Sequence, residues 1–280
     1  MPTIRVAHSP DSDDAFMFYA LAAGKIDTGD RTYLHELQDI ESLNQRALQG
    51  ELEVTAVSFH AYAYLHERYA LLPHGASIGD GYGPRLVATS RLPADIVAGL
   101  AGKLIAIPGE RTTATLVLKL LRKDVRTVAV PFDAIEDVLL AGQADVGLLI
   151  HEGQLTYADR GLHLWQDLGV WWKARTGLPL PLGGNVVRKD LGEAMVRTVS
   201  RDLRASIAYG LAHRQDGLAH AQQYARGLTP ERTDTFVGMY VNDFTMDYGP
   251  TGRTAVQRLL DEGAAVGLIP RVRAEFVDDS

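Results

Sequence analysis

The residues best placed for chemistry are His151, Glu152 and Gly153, which end the apolar run from Val146 to Ile150. That run reads as a buried strand, and in open α/β sheets ligands sit beyond the carboxyl ends of the strands. The strand therefore delivers an imidazole, with an ordinary pKa of about 6.5, to the edge where ligands bind. A purely structural histidine at a strand end is the competing reading. His151-Glu152 does not begin an HExxH zinc helix, because the fifth position is Leu155 and Gly153 follows at once. Glu152 is expected to turn outward, since neighbours on an extended chain point to opposite faces.

Four further stretches carry candidate groups. Asp11, Asp13 and Asp14 could hold a metal, but they stand ahead of the helical stretch from Ala15 to Ala23. Ser and Asp are favoured helix caps, and carboxylates suit the positive end of the helix dipole, so capping is the stronger reading. Ser58 follows the strand Glu53–Val57 and precedes a helix expected over Phe59–Tyr69. It either caps that helix or turns its hydroxyl to an anion. Thr112-Thr113-Ala114 opens a helix running to Leu121. Its hydroxyls and the unpaired N–H groups of a helix start suit a carboxylate or a phosphate. Trp165, Trp171 and Trp172 either fill the core or wall a flat ligand.

Composition narrows the classes. A formal charge of -7 over 280 residues argues against a nucleic-acid partner, which needs a basic patch. With no cysteine, disulfides, thiolate catalysis and cysteine metal sites are excluded. Gly102-Lys103 runs into Leu104 and so is no phosphate loop, and Gly79–Pro84 has the wrong spacing for a dinucleotide fingerprint. No apolar run approaches the roughly 18 residues of a membrane span. The first residues lack the layout of a signal peptide, and a soluble cytoplasmic protein is expected.

The elements that must position these groups alternate. Strands are expected at Ile4–Ala7, Leu34–Leu37, Glu53–Val57, Leu86–Ala88, Leu104–Ile107, Val125–Val130 and Val146–Ile150. Helices separate most of them, which implies a largely parallel α/β sheet. From Leu191 onward the pattern is helical, with Met195, Val199, Leu203 and Ile207 at four-residue spacing. The stretch from Asp190 to Gly227 is read as packing without chemistry. Two lobes are expected, 1–89 with 181–280 and 90–180. They would be joined by crossing segments near Pro84–Ser90 and Pro179–Arg188.

Several segments together carry a resemblance. They are Ser9–Leu21, Ile107–Ala114, Gly147–Tyr157, Asp167–Trp172 and Thr176–Gly183. The chain resembles the 1,4-dihydroxy-6-naphthoate synthases of the futalosine route to menaquinone. The His151-Glu152 and Trp171-Trp172 segments set it apart from chorismate dehydratase, the sister enzyme. The resemblance implies a periplasmic-binding-protein-like fold of two α/β lobes with a cleft between them. It implies conversion of cyclic dehypoxanthinyl futalosine to 1,4-dihydroxy-6-naphthoate and dihydroxyacetone, with no cofactor and no metal. It places the proton acceptor on His151 and the substrate-binding segments on Ala56-Val57-Ser58 and Thr113-Ala114. The expected ligand is thus a small aromatic carboxylate. A non-catalytic solute-binding protein shares the fold and is the alternative class.

Overall fold

Short apolar runs alternating with amphipathic stretches resolve into two sheets. The structure, a computed structural model, describes residues 2–278. The first half of the chain forms β1 (Thr3–His8), α1 (Ser12–Ala22), β2 (Thr32–Leu37), α2 (Ile40–Gln49), β3 (Val54–Ser58), α3 (Phe59–Tyr62), β4 (Tyr69–Leu71) and β5 (Ser77–Gly79). It continues with β6 (Arg85–Ala88), α4 (Ile96–Gly99), β7 (Leu104–Ile107), α5 (Thr113–Leu121), β8 (Arg126–Ala129), α6 (Ile135–Leu140) and β9 (Val146–Leu149). Then come α7 (Gly153–Thr156), β10 (His163–Asp167), α8 (Leu168–Thr176) and β11 (Leu180–Arg188). The helices α9 (Glu193–Ala212), α10 (Arg214–Ala221), α11 (Pro230–Tyr240), α12 (Asp243–Met246) and α13 (Gly249–Ala265) finish the chain.

The first sheet has the order β2-β1-β3-β11-β4, with β5 also paired to β11. Its strand β1 runs parallel to β2 and β3, while β11 runs antiparallel to its neighbours. The second sheet has the order β10-β6-β9-β7-β8, with β7 parallel to β8 and β9. Local chemistry sets the helix starts that matter for the cleft. Asp11 caps α1 by accepting from the Asp14 N–H, and Thr112 caps α5 by accepting from the Thr115 N–H. Helix α1 is buried from Ser12 to Leu21 because the C-terminal helices cover the face it turns away from the sheet. Val199, Leu203 and Ile207, three of the four residues at four-residue spacing, lie in that core.

Three expectations are corrected. The first crossing falls earlier than Pro84–Ser90. Arg85–Ala88 pairs with β9 and β10, so it belongs to the second sheet and not to a lobe ending at 89. The Gly/Pro-rich turn before it makes the crossing, and an apolar strand buried at Leu86, Val87 and Ala88 gains more inside a sheet than across solvent. On the return, β11 enters the first sheet at Leu180. Helix α3 stops at Tyr62, short of Tyr69, because Tyr69–Leu71 is taken as strand β4 by β11. The C-terminus is not helical to its end. After Ala265 the chain turns and then runs without helix, and Phe276 forms a bridge to Leu71.

Where β1 ends, buried His8 meets half-buried His35 of β2. His8 stacks on Phe18 with ring centroids 4.3 Å apart, and its Nε2 lies 3.4 Å from His35 Nδ1. Burial, with some mutual repulsion at His8, pushes both imidazoles down to about 4. The unfolded chain therefore binds protons between about pH 6.5 and 4 that the native state does not, and stability falls as pH drops through that window. The expected loss is on the order of 3 kcal/mol for fully buried His8, at about 1.4 kcal/mol per pKa unit. Urea midpoints measured from pH 7 to 4 should show it, and a His8→Asn/His35→Gln variant should show a shallower slope. Equal slopes would assign the acid sensitivity elsewhere.

Candidate active site

The carboxyl ends of β1 and β3 in one sheet, and of β7 and β9 in the other, face a common cleft. Its empty space, counting the part open to solvent at the mouth, is about 690 Å³. His151 comes from the second sheet and Asp11 from the first, and they meet across it. His151 Nδ1 lies 2.8 Å from Asp11 Oδ2. That contact commits Nδ1 to the carboxylate. The other ring nitrogen, Nε2, is buried with no protein partner, and His151 lines the cleft. His151 has φ 51°, left-handed for a residue with a side chain. Such strain persists only where surrounding contacts hold it, and it clusters at functional sites.

The acidic stretch of α1 is both cap and partner. Asp11 caps the helix, and Asp14 accepts from the Ser9 N–H at 2.8 Å. Burial raises the Asp13 and Asp14 carboxyls well above the usual range, and the Asp11 charge adds to it, so both shifts favour the protonated acid. Burial also works against ionised Asp11, but the His151 charge and hydrogen bond outweigh it and hold Asp11 below the usual range. The same pair seen from His151 has burial lowering its pKa and Asp11 raising it, with a net rise. The two shifts agree on an ion pair. A neutral ring, the form expected of a base buried in the cleft, is thus not favoured while Asp11 stays ionised.

Asp11, Asp13 and His151 bring donor atoms within 4.8 Å of one another, the one such group of three among the described residues. A cation there would have to displace the proton shared by His151 and Asp11. The proton-sharing arrangement needs no such displacement.

Comparison with known proteins decides the family. The family model described as menaquinone biosynthesis matches residues 4–265. The chain belongs to this family. It is 40% identical to the 1,4-dihydroxy-6-naphthoate synthase of Thermus thermophilus, over 99% of this chain and 100% of the relative. It is 36% identical to the enzyme of the same name from Streptomyces coelicolor, over 96% and 95%. A crystal structure of an Archaeoglobus fulgidus protein superposes with a TM-score of 0.90 at 47% identity, covering 95% of this chain and 98% of that one. An alkanesulfonate-binding protein of Xanthomonas axonopodis pv. citri shares the fold alone, with a TM-score of 0.68 at 14% identity over 98% and 96%. The family resemblance read from the five segments and the periplasmic-binding-protein-like fold are both shown.

Within this menaquinone-biosynthesis fold the other candidates have definite places. Ala56, Val57, Ser58, Thr113 and Ala114 all line the cleft with His151. Ser58 does not cap α3 with its side chain, and a four-residue helix offers little dipole. Its Oγ accepts from Asn44 Nδ2 at 3.2 Å, and its N–H donates to Asn44 Oδ1 at 2.9 Å. The Ser58 hydroxyl proton is therefore left to donate into the cleft. Thr113 differs from its reading as a hydroxyl donor. Its Oγ1 donates to Leu182 O at 2.5 Å and accepts from the His60 N–H at 3.3 Å, so the hydroxyl is spent within the protein. What α5 offers an anion is its first N–H groups, at Thr113 and Ala114.

The tryptophans do not wall the cleft. Trp165 and Trp172 are buried in the core, and Trp172 Nε1 donates to Pro179 O. Phe236 and Tyr240 of α11 supply the aromatic surface instead, and the Tyr240 hydroxyl lies 2.7 Å from the Gln154 amide. Glu152 does not turn outward. The left-handed turn at His151 ends the strand alternation, and Glu152 is 6% exposed, facing Arg226 at 3.4 Å. Arg226 lies in the stretch read as packing alone. Its signal was absent from local sequence because it reaches the site from a distant segment.

Replacing Asp11 by asparagine removes the raising charge and leaves burial, so the His151 pKa is expected to fall below that of the wild type. NMR titration of the ring, assigned by its loss in His151→Asn, measures this. An unmoved midpoint would mean that Asp11 does not govern the proton on His151.

Proposed function

We propose that the chain is a 1,4-dihydroxy-6-naphthoate synthase, a lyase that releases dihydroxyacetone from cyclic dehypoxanthinyl futalosine, with His151 as the proton acceptor. One observation carries the reading: His151 lines the cleft with Nδ1 held by Asp11, and its Nε2 has no protein partner. A base must lie within reach of the proton it takes, and a third group must fix its orientation. Asp11 fixes the tautomer and stabilises the imidazolium that forms when Nε2 takes a proton from carbon. Formation of the aromatic ring supplies the driving force from within the substrate.

The substrate carboxylate is assigned to the Ser58 hydroxyl and the Thr113 and Ala114 N–H groups. Ala56, Val57 and Leu182 give the flat ring system apolar contact beside them. Neutral donors suit a carboxylate in a water-poor cleft, where each hydrogen bond is worth more than in water. The residues carry every role assigned here, so no metal or organic cofactor is invoked.

Four measurements test this. Wild type incubated with the cyclic compound should form the naphthoate, and dialysis against a chelator should leave the rate intact. Activity that returns only with added metal would reinstate a cation at Asp11, Asp13 and His151. Loss of general base catalysis is worth about 10²–10⁴ in rate, so His151→Asn should lose at least that factor while remaining folded and keeping much of its ligand affinity. A folded variant with near-normal turnover would remove His151 from the mechanism. The wild-type rate should fall as pH drops through the raised His151 pKa, placing the acid limb above 6.5.

The carboxylate subsite has its own check. Ser58→Ala should weaken a small aromatic carboxylate by about 1.5–3 kcal/mol, the range for a hydrogen bond to a charged acceptor. Thr113→Val keeps the N–H groups and should weaken it less. Unchanged calorimetric affinity for Ser58→Ala would move the anion elsewhere in the cleft.

A further inference from the structure

We infer that Arg226 is a positioning residue for the reaction, a latch that ties the His151 loop of the second lobe to the first lobe. The inference rests on His151 being the proton acceptor. Among the described residues only His151 and Arg226 have positive φ without being glycine, at 51° and 46°. They come from opposite lobes, and Arg226 reaches Glu152, the residue after His151.

Three contacts make the latch. Arg226 Nη2 donates to Pro10 O at 2.9 Å, immediately before Asp11. Arg226 Nη1 lies 3.4 Å from Glu152 Oε2, immediately after His151. The guanidinium carbon sits 4.3 Å from the Phe132 ring centroid, and Phe132 meets the His151 ring edge-on at 4.8 Å. One side chain thus touches the neighbour of the base, the neighbour of its carboxylate and the ring that packs on the base. A planar cation with a fork of donors fits all three at once, and lysine would not.

The energetics run one way. Glu152 is 6% exposed, its Oε1 has no protein partner, and Arg226 is the cation paired with it. Removing one member of a buried pair leaves an uncompensated charge. Without Arg226 the Glu152 loop moves toward water, and it takes His151 out of line with Asp11. The charged and titratable groups facing His151 are Asp11, Asp13 and Asp14 from the first lobe, Glu152 beside it and Arg226 itself. Arg226 does not line the cleft, so it acts through the loop and not on the substrate. Its side chain is 28% exposed, so its slot is reachable from solvent.

The test compares wild type with Arg226→Ala on the cyclic substrate. A displaced base is expected to cost about 10- to 100-fold in kcat, with the calorimetric affinity for 2-naphthoate nearly unchanged. Millimolar guanidinium ion should restore part of kcat in the variant and none in wild type. Hydrogen exchange of residues 150–156, which needs no substrate, should rise in the variant. Glu152→Gln cuts the same tie from the other lobe, and the double variant should be no slower than the slower single one. An unaltered kcat with unaltered exchange in Arg226→Ala would overturn the latch. So would a loss that guanidinium does not rescue while 150–156 stays protected. If wild type fails to turn over the cyclic compound, the proposed reaction falls, and the exchange experiment still decides whether Arg226 holds the loop.

Discussion

The site depends on one ion pair that spans the cleft. Asp11 belongs to the loop after the first strand and His151 to the loop after the ninth, 140 residues later. Asp11 is buried and His151 half-buried, and an unpaired charge on Asp11 would be costly there. Breaking such a pair by removing one partner costs about 3–5 kcal/mol. The pair therefore favours the arrangement in which the lobes face each other at hydrogen-bond distance. It also decides which imidazole nitrogen is left for the cleft. The strain at His151 follows, because the chain must leave an extended strand and turn left-handed at once to bring the ring to Asp11.

The two sheets supply the rest by the usual logic of α/β folds. Parallel strands send their carboxyl ends and the following loops to one edge, and two such edges are brought face to face. A binding protein with this architecture needs only helix starts and hydroxyls around its ligand. Here the same edges also carry a titrating ring and a carboxylate that fixes it. The shared fold with an alkanesulfonate-binding protein therefore says nothing about catalysis. The difference lies in the side chains at the strand ends.

Much of this was legible in the sequence. Seven strands, the cap at Asp11, the start of α5 and His151 at a strand end announce themselves within a few residues. Local pattern failed where partners are remote. Tyr69 looked like the end of a helix because the strand that pairs with Tyr69–Leu71 lies more than 100 residues away. Thr113 looked like a free donor because Leu182 is invisible from α5. Asp11 read correctly as a cap and incompletely as a cap alone, since its second contact comes from the other lobe. Glu152 was misplaced because the alternation rule assumes an extended backbone, and His151 breaks it. Arg226 carried no local signal at all, as its three partners are Pro10, Phe132 and Glu152.

A difficulty in the proposed chemistry resolves through the same contacts. Four carboxyl groups, Asp11, Asp13, Asp14 and Glu152, lie in or beside a cleft assigned to an anionic substrate. Four negative charges would repel it. Burial favours the protonated forms of Asp13 and Asp14, and the charge of Asp11 adds to that preference. Asp11 itself is balanced by His151, and Glu152 by Arg226. The cleft is then close to neutral, and the Ser58 hydroxyl and the start of α5 add positive potential at the opposite wall. When His151 takes a proton from carbon, it returns to the charged form that Asp11 already stabilises. The acidic cluster thus favours the product of proton transfer at one end while leaving the carboxylate subsite free of like charge at the other.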